Sequence, residues 1–363
     1  MMSSVTRRAT LASLSELALH LEHARRRTEA LLEPLTDEQL TMQYSPLQSP
    51  LVWDLAHIGH FEELWLLRGG EASATATDDL YDAFAHPRAE RGTLPILSPG
   101  EARAYVRAVR DAVLELLPDL DPFLVGMVAH HELQHGETVA QTLALAGLLP
   151  RRLPEVEAAG DVVVPAGEFA MGSTDAWAYD NERPQHDIDV PEFRIDRALV
   201  TNSEYAAFIE AGGYHDRKLW SDDGWAWRHS EQAVAPLYWE ADAPPREPVQ
   251  HVSAHEAEAY ARWVGKRLPS EAEWEKAVKT LDIELEHVSG AVWQWTASAF
   301  KGYPGFRAYP YREYSEPFFG GEYRVLRGGS WCTDPLVART TFRNWDFPRR
   351  RQIFSGLRCA SDG

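Results

Sequence analysis

Apolar residues in the first part of the chain recur at helical spacing. Between Thr10 and Leu35, Leu14, Leu17, Leu21, Ala24 and Leu31 share one face while arginines gather on the other, so one side is expected to bury and the other to stay wet. A second helix is predicted from Pro50 to about Arg68, stopped by Gly69-Gly70. A third starts with Ser98 as N-cap, Pro99 at the first position and Glu101 in the capping-box place, and runs to about Leu117. A fourth extends from Asp121-Pro122 to about Leu148. Four amphipathic helices predict an up-and-down bundle. The connection between Gly70 and Ser98 is polar and too long for an idle link, which makes it a candidate binding loop.

After Pro150 the pattern changes. Residues 151–160 read as a linker between a first domain, 1–150, and a second, 161–363. There, short β-type runs such as Val162-Val163-Val164 and Tyr323-Arg324-Val325-Leu326 alternate with Gly, Pro, Asn and Asp, and most of the tryptophans appear. Helical segments stand out only around Asn202 to Glu210, Ser253 to Val264 and after Pro269, so this half is expected to be a loop-rich α+β domain without internal repeats.

Composition narrows the function classes. The 363 residues suffice for two domains with real cores, and a net charge of −19 makes nucleic acid a poor partner. Two cysteines, Cys332 and Cys359, cannot build a disulfide framework or a Cys-based zinc site, and no early apolar run resembles a signal peptide. Asp54, His57, His60 and Glu62 interrupt the most hydrophobic early segment, so no membrane span is expected. These features predict a soluble protein of a reducing cytoplasm.

The strongest local chemistry is His130-His131-Glu132-Leu133-Gln134-His135-Gly136-Glu137 in the fourth helix. Residues four apart differ by only ~40° around a helix, so His131 and His135 can face one ion, while Glu137, ~240° from His131, cannot join them. A third ligand must come from another helix. His57 is the best candidate, on a face otherwise carrying Trp53, Phe61 and Leu64, with His60 one turn on as its competitor. An accidental spacing of surface histidines is the bland alternative. Three imidazoles suit Zn, Fe, Ni or Cu and leave positions open for substrate, which favours catalysis over a structural ion.

Near the C-terminus, Arg343-Asn344-Trp345-Asp346-Phe347-Pro348-Arg349-Arg350-Arg351 places a ring beside a carboxylate and several guanidiniums. Such a set can hold a quaternary ammonium by cation–π attraction and fork onto carboxylates, although a solvated basic run after a buried Trp reads the same way. Tyr311-Arg312-Glu313-Tyr314 offers phenols that pack or donate a proton.

Taken in order, Ser49-Pro50-x-x-Trp53-x-x-Ala56-His57, HHELQHGE, Val164-Pro165-Ala166-Gly167-x-Phe169-x-Met171-Gly172, Arg267-Leu268-Pro269-Ser270-Glu271-Ala272-Glu273-Trp274-Glu275, Leu326-Arg327-Gly328-Gly329-Ser330-Trp331 and RNWDFPRRRQIF resemble the EgtB-type sulfoxide synthases of ergothioneine biosynthesis over nearly the whole chain. The resemblance implies a multidomain fold, an all-α DinB-like four-helix bundle followed by an α+β C-type-lectin-like domain of the sulfatase-modifying-factor type. It implies that His57, His131 and His135 bind non-haem iron(II), Fe(2+), and that Gln134, Asn344 and Trp345 surround hercynine. Tyr311 would supply a proton during oxygen activation, with Tyr314 lining the site. Arg88 and Arg91 in the long loop would clamp γ-glutamylcysteine with Asp346 and Arg350, which implies an active site between the domains. The implied reaction joins γ-glutamylcysteine to C2 of hercynine with O2 and oxidises the sulfur to a sulfoxide.

One stretch departs from the family pattern. The segment from Trp274 to Trp293 is short, and Gly290-Ala291-Val292-Trp293-Gln294-Trp295 replaces a G-N-V-W-E-W-like motif, which argues against a calcium site there. Rival readings are a selenoneine synthase using a selenosugar, which three guanidiniums disfavour, and a zinc-dependent DinB-type thiol transferase, which leaves Tyr311 and the RNWD segment unexplained. Formylglycine generation lacks its cysteine pair, since Val337 stands five residues after Cys332. A non-catalytic lectin-like module fused to a bundle predicts no bound iron.

Overall fold

The computed structural model describes residues 11–72, 76–150, 153–281 and 284–363, in two compact units, Met1–Arg151 and Arg152–Gly363. The first unit contains α1 (Leu11–Leu32), α2 (Asp37–Thr41), α3 (Leu51–Glu62), α4 (Ala76–Tyr81), α5 (Pro99–Leu116) and α6 (Pro122–Leu145). The long helices pack as α1 on α6 and α3 on both α5 and α6, a four-helix bundle. Its core is built on Trp53, Leu51, Leu55, Val106, Val139 and Leu143.

Local signals explain the boundaries. Ser98 and Glu101 close a reciprocal capping box at the start of α5, and Asp121 caps α6 through the Phe123 amide. The helix expected from Pro50 to Arg68 is α3 followed by a π-helical turn, Glu63–Leu67, and Gly69 and Gly70 then adopt φ of 61° and 83°. The connection from Gly70 to Ser98 is not bare loop, since it carries α4 and a 3₁₀ turn, Arg88–Thr93.

One expectation fails at Arg25. The arginines of α1 were expected to stay wet, yet Arg25 is buried, because two carboxylates meet it inside the bundle. Its guanidinium reaches Glu62 of α3 at 3.0 Å and Glu132 of α6 at 2.8 Å, and Arg110 of α5 reaches the same pair at 2.5 and 3.0 Å. Two cations and two anions therefore tie all four long helices together without net charge.

The second unit opens with β1 (Asp161–Val164), β2 (Gly167–Met171), β3 (His186–Val190) and β4 (Phe193–Asp196), then α7 (Asn202–Glu210), α8 (Asp222–Ser230), α9 (Ala254–Trp263) and α10 (Glu271–Leu281). It closes with β5 (Trp293–Ala299), β6 (Arg324–Arg327), β7 (Asn344–Asp346), β8 (Ser355–Gly356) and β9 (Ala360–Asp362). The sheets run β1-β4-β9, β2-β3 and β7-β6-β5-β8, and β5 pairs antiparallel with β6 but parallel with β8. Helix α8 was not anticipated. Val164, Phe193, Ile195, Trp274 and Ala277 form a core under α10, where the Lys276 ammonium donates to the carbonyls of Pro165, Gly167 and Val190 at 2.7, 2.8 and 3.2 Å. Gln294, at the departure from the family pattern, accepts from Trp274 Nε1 and Arg358 Nε and donates to the Val288 carbonyl, so its amide serves packing.

Candidate metal centre

Helices α3 and α6 bring three imidazoles to one point in the first unit. One ligand-type nitrogen from each of His57, His131 and His135 lies within 4.8 Å of the others, and the ring centroids are 4.5–5.1 Å apart. The i, i+4 spacing on α6 supplies two rings and the packing of α3 across it supplies the third. His60 is not part of the group. Its Nε2 meets Asp78 Oδ1 at 2.8 Å, an oxygen that Arg68 also holds at 2.6 Å.

The surroundings fix the rings. His57 Nδ1 donates to the Tyr81 carbonyl at 2.7 Å, and its ring stacks on Trp53 at 4.8 Å. His131 stacks on Phe61 at 3.7 Å. His135 Nδ1 faces Asp54 Oδ1 at 3.2 Å. Burial pushes His57 and His131 well below the ordinary imidazole range, and His135 beside them adds to the effect, so both are held neutral. Imidazoles brought to one point, two of them with an outer nitrogen on an oxygen acceptor and the third fixed by stacking, are the donor set of a transition-metal site, and the three rings fit one.

Sequence reasoning missed Asp54 and Tyr81. Asp54 could have been found, because it lies three residues before His57 and so on the same helical face. The Tyr81 carbonyl carries no sequence signal.

The remaining predicted residues of this unit differ in what they touch. Gln134 is half-buried on α6, and Arg88 is exposed, its Nη1 3.5 Å from the Leu47 carbonyl. Arg91 is buried, and its guanidinium donates to the Ala83 and His86 carbonyls and Ser49 Oγ at 2.9–3.0 Å. It also lies 3.7 Å from the Trp53 ring centroid, and burial pulls it down to about 10.

In the second unit an aromatic cluster surrounds Trp345, which stacks on Phe300 at 4.2 Å and meets Tyr314 edge-on at 5.8 Å. Tyr311 stands edge-on to Tyr314 at 6.0 Å, and Tyr179, which the sequence did not single out, stacks on Tyr314 at 4.4 Å. Burial, reinforced by neighbouring Tyr179, pushes the phenols of Tyr311 and Tyr314 up. Asn344 Oδ1 accepts from the Trp345 amide at 2.9 Å, and Asp346 lies 3.7 Å from Arg350. The structure thus groups Tyr311, Tyr314 and Trp345 in one cluster and places Asn344 and Asp346 beside Trp345 on β7.

Residues 20–139 match the DinB superfamily, and residues 148–284 and 279–363 match the sulfatase-modifying factor enzyme 1-like domain. The chain is 44 % identical over 425 residues to a hercynine oxygenase of Mycolicibacterium thermoresistibile, covering 96 % of this chain and 95 % of that one. It is 43 % identical over 431 residues to a hercynine oxygenase of Mycobacterium tuberculosis, covering 97 % and 100 %. A formylglycine-generating enzyme of Streptomyces coelicolor is 36 % identical over 287 residues, covering 56 % of this chain and 89 % of that enzyme.

Proposed function

The chain belongs to the hercynine oxygenase family, and on that premise we propose that it joins γ-glutamylcysteine to C2 of the hercynine imidazole, with iron(II) held by His57, His131 and His135. It is an oxygen-dependent oxidoreductase. The product is γ-glutamyl-hercynylcysteine sulfoxide. The C2–H and S–H bonds are lost and C–S and S=O bonds form. One oxygen atom of O2 goes to sulfur and the other leaves as water. Four electrons pass from the two substrates to O2, so no external reductant is required.

The observation that carries this reading is the convergence of three imidazoles, two of them held neutral by burial, in a chain related to hercynine oxygenases along its whole length. Iron(II) bound there supplies the one-electron chemistry by which O2 reacts with closed-shell substrates. Trp53 and Phe61 shield two of the rings from water. Gln134, Asn344 and Trp345 receive hercynine, the Trp345 ring offering cation–π attraction to the trimethylammonium group. Arg88 and Arg350 receive the carboxylates of γ-glutamylcysteine, and Asp346 its ammonium. Arg91 reaches a carboxylate only by exchanging the Ala83 and His86 carbonyls it now holds. Tyr311, kept protonated by burial, donates its proton as oxygen is reduced, and Tyr314 orders the ring beside it. A reducing cytoplasm suits the reaction, and Cys332 and Cys359 are free thiols.

The test is oxygen uptake by anaerobically iron(II)-loaded protein with hercynine and, in parallel, γ-glutamylcysteine, cysteine or a selenosugar, followed by mass analysis. Uptake with γ-glutamylcysteine that yields the hercynyl sulfoxide is the expected result. Uptake confined to another donor would reject the proposed thiol, and none with any donor would reject the reaction.

A further inference from the structure

Asp54 stands on α3 at 1 % exposure, and the structure gives it little reason to be there as packing. Its Oδ1 accepts from His135 Nδ1 at 3.2 Å, while Oδ2 is buried without a hydrogen-bond partner among the described residues. The Arg91 guanidinium lies within its field but is hydrogen-bonded to Ser49, Ala83 and His86. A buried carboxylate with one imidazole donor is expensive by itself, since desolvation opposes the charge and a single hydrogen bond does not offset it. A divalent cation on the far side of the same imidazole would compensate that charge.

The other two rings make the contrast. His57 is oriented by a neutral carbonyl, that of Tyr81, and His131 is held by stacking on Phe61. Only His135 has an anion behind it. A carboxylate at Nδ1 fixes the tautomer, turns Nε2 toward the triad and makes the imidazole a stronger donor.

We propose that Asp54 is a positioning residue for the metal, orienting and strengthening His135 as a ligand while its charge balances the bound cation. This rests on the reading that the three histidines hold a metal ion. Asp54→Asn keeps the shape and an acceptor oxygen but removes the charge, and Asp54→Ala removes both. Cobalt(II) affinity is measured by competition with a chromophoric chelator, alongside the ligand-field spectrum and the melting temperature of the metal-free protein. The expected result is about a tenfold loss of affinity for Asp54→Asn, with a shifted cobalt spectrum and a metal-free melting temperature at or above wild type. A packing role gives the opposite pattern, a lowered metal-free melting temperature with unchanged affinity and spectrum, and would overturn the inference. Should Asp54→Ala fail to fold, Asp54→Asn decides. His135→Ala serves as the control, because cobalt binding that survives it would overturn the metal centre itself rather than Asp54's part in it.

Discussion

At the scale of single residues, ligation and folding are separable at His135. The ring is half-buried and makes one polar contact among the described residues, so His135→Ala removes a proposed metal ligand without emptying the hydrophobic core. Iron content after reconstitution is expected to fall below about a tenth of wild type, with helical circular dichroism unchanged. Retained full occupancy would remove His135 from the ligand set. Tyr311 is the complementary case, since its proposed task is a proton transfer. Tyr311→Phe keeps the ring in its cluster with Tyr314 and deletes only the hydroxyl. Sulfoxide formation should slow by ~10²–10⁴-fold while hercynine binding is spared, with oxygen diverted to oxidation of the thiol alone. Product ratios by mass spectrometry check it, and an unchanged distribution would count against the donor role. Single residues also show where sequence reading stops. His57 was legible because an imidazole among Trp53, Phe61 and Leu64 is conspicuous, whereas the Tyr81 carbonyl that orients it belongs to the backbone and looks like any other.

Elements were legible where the signal was local. The capping box at Ser98 and Glu101 and the Asp121 cap each involve atoms within three residues, so spacing alone predicts them. Arg25 was misread for the converse reason. Its partners Glu62 and Glu132 lie 37 and 107 residues away, and periodicity treats any arginine as a solvated one. Helix α8 was missed although Ser221 caps it through the Gly224 amide, because it spans only 9 residues and a glycine in its first turn leaves little apolar periodicity to read. The buried quartet makes a prediction of its own. Glu132→Leu leaves Arg25 and Arg110 sharing one carboxylate inside the bundle and should cost about 3–5 kcal/mol, measured as a drop in urea midpoint. Replacing all four charges with apolar residues of similar volume should cost less than that single change, since no uncompensated ion remains. A single mutant milder than the quadruple would show the quartet to be weakly coupled.

Over the whole chain, the acidic balance and the proposed anionic thiol substrate oppose each other, and a few guanidiniums must overcome a net charge of −19 locally. A metal at the proposed site would act on a different property, the cooperativity of the first unit. Its three proposed ligands come from α3 and α6, and the same helices carry Glu62 and Glu132, which hold α1 and α5 through Arg25 and Arg110. A ligand that binds only the folded form stabilises it by RT ln(1 + [L]/Kd), about 2.7 kcal/mol at a hundredfold excess over Kd. Because the quartet links the metal-bearing helices to the other two, that gain should not stay at the histidines. Amide hydrogen exchange on metal-free and metal-loaded protein should show added protection along all four long helices, with α4 included because the Tyr81 carbonyl binds His57. In Glu132→Leu the added protection should shrink on α1 and α5 and persist near His57 and His135. Protection confined to the histidine turns in the unmodified protein would mean that the metal and the buried ion network stabilise the bundle independently.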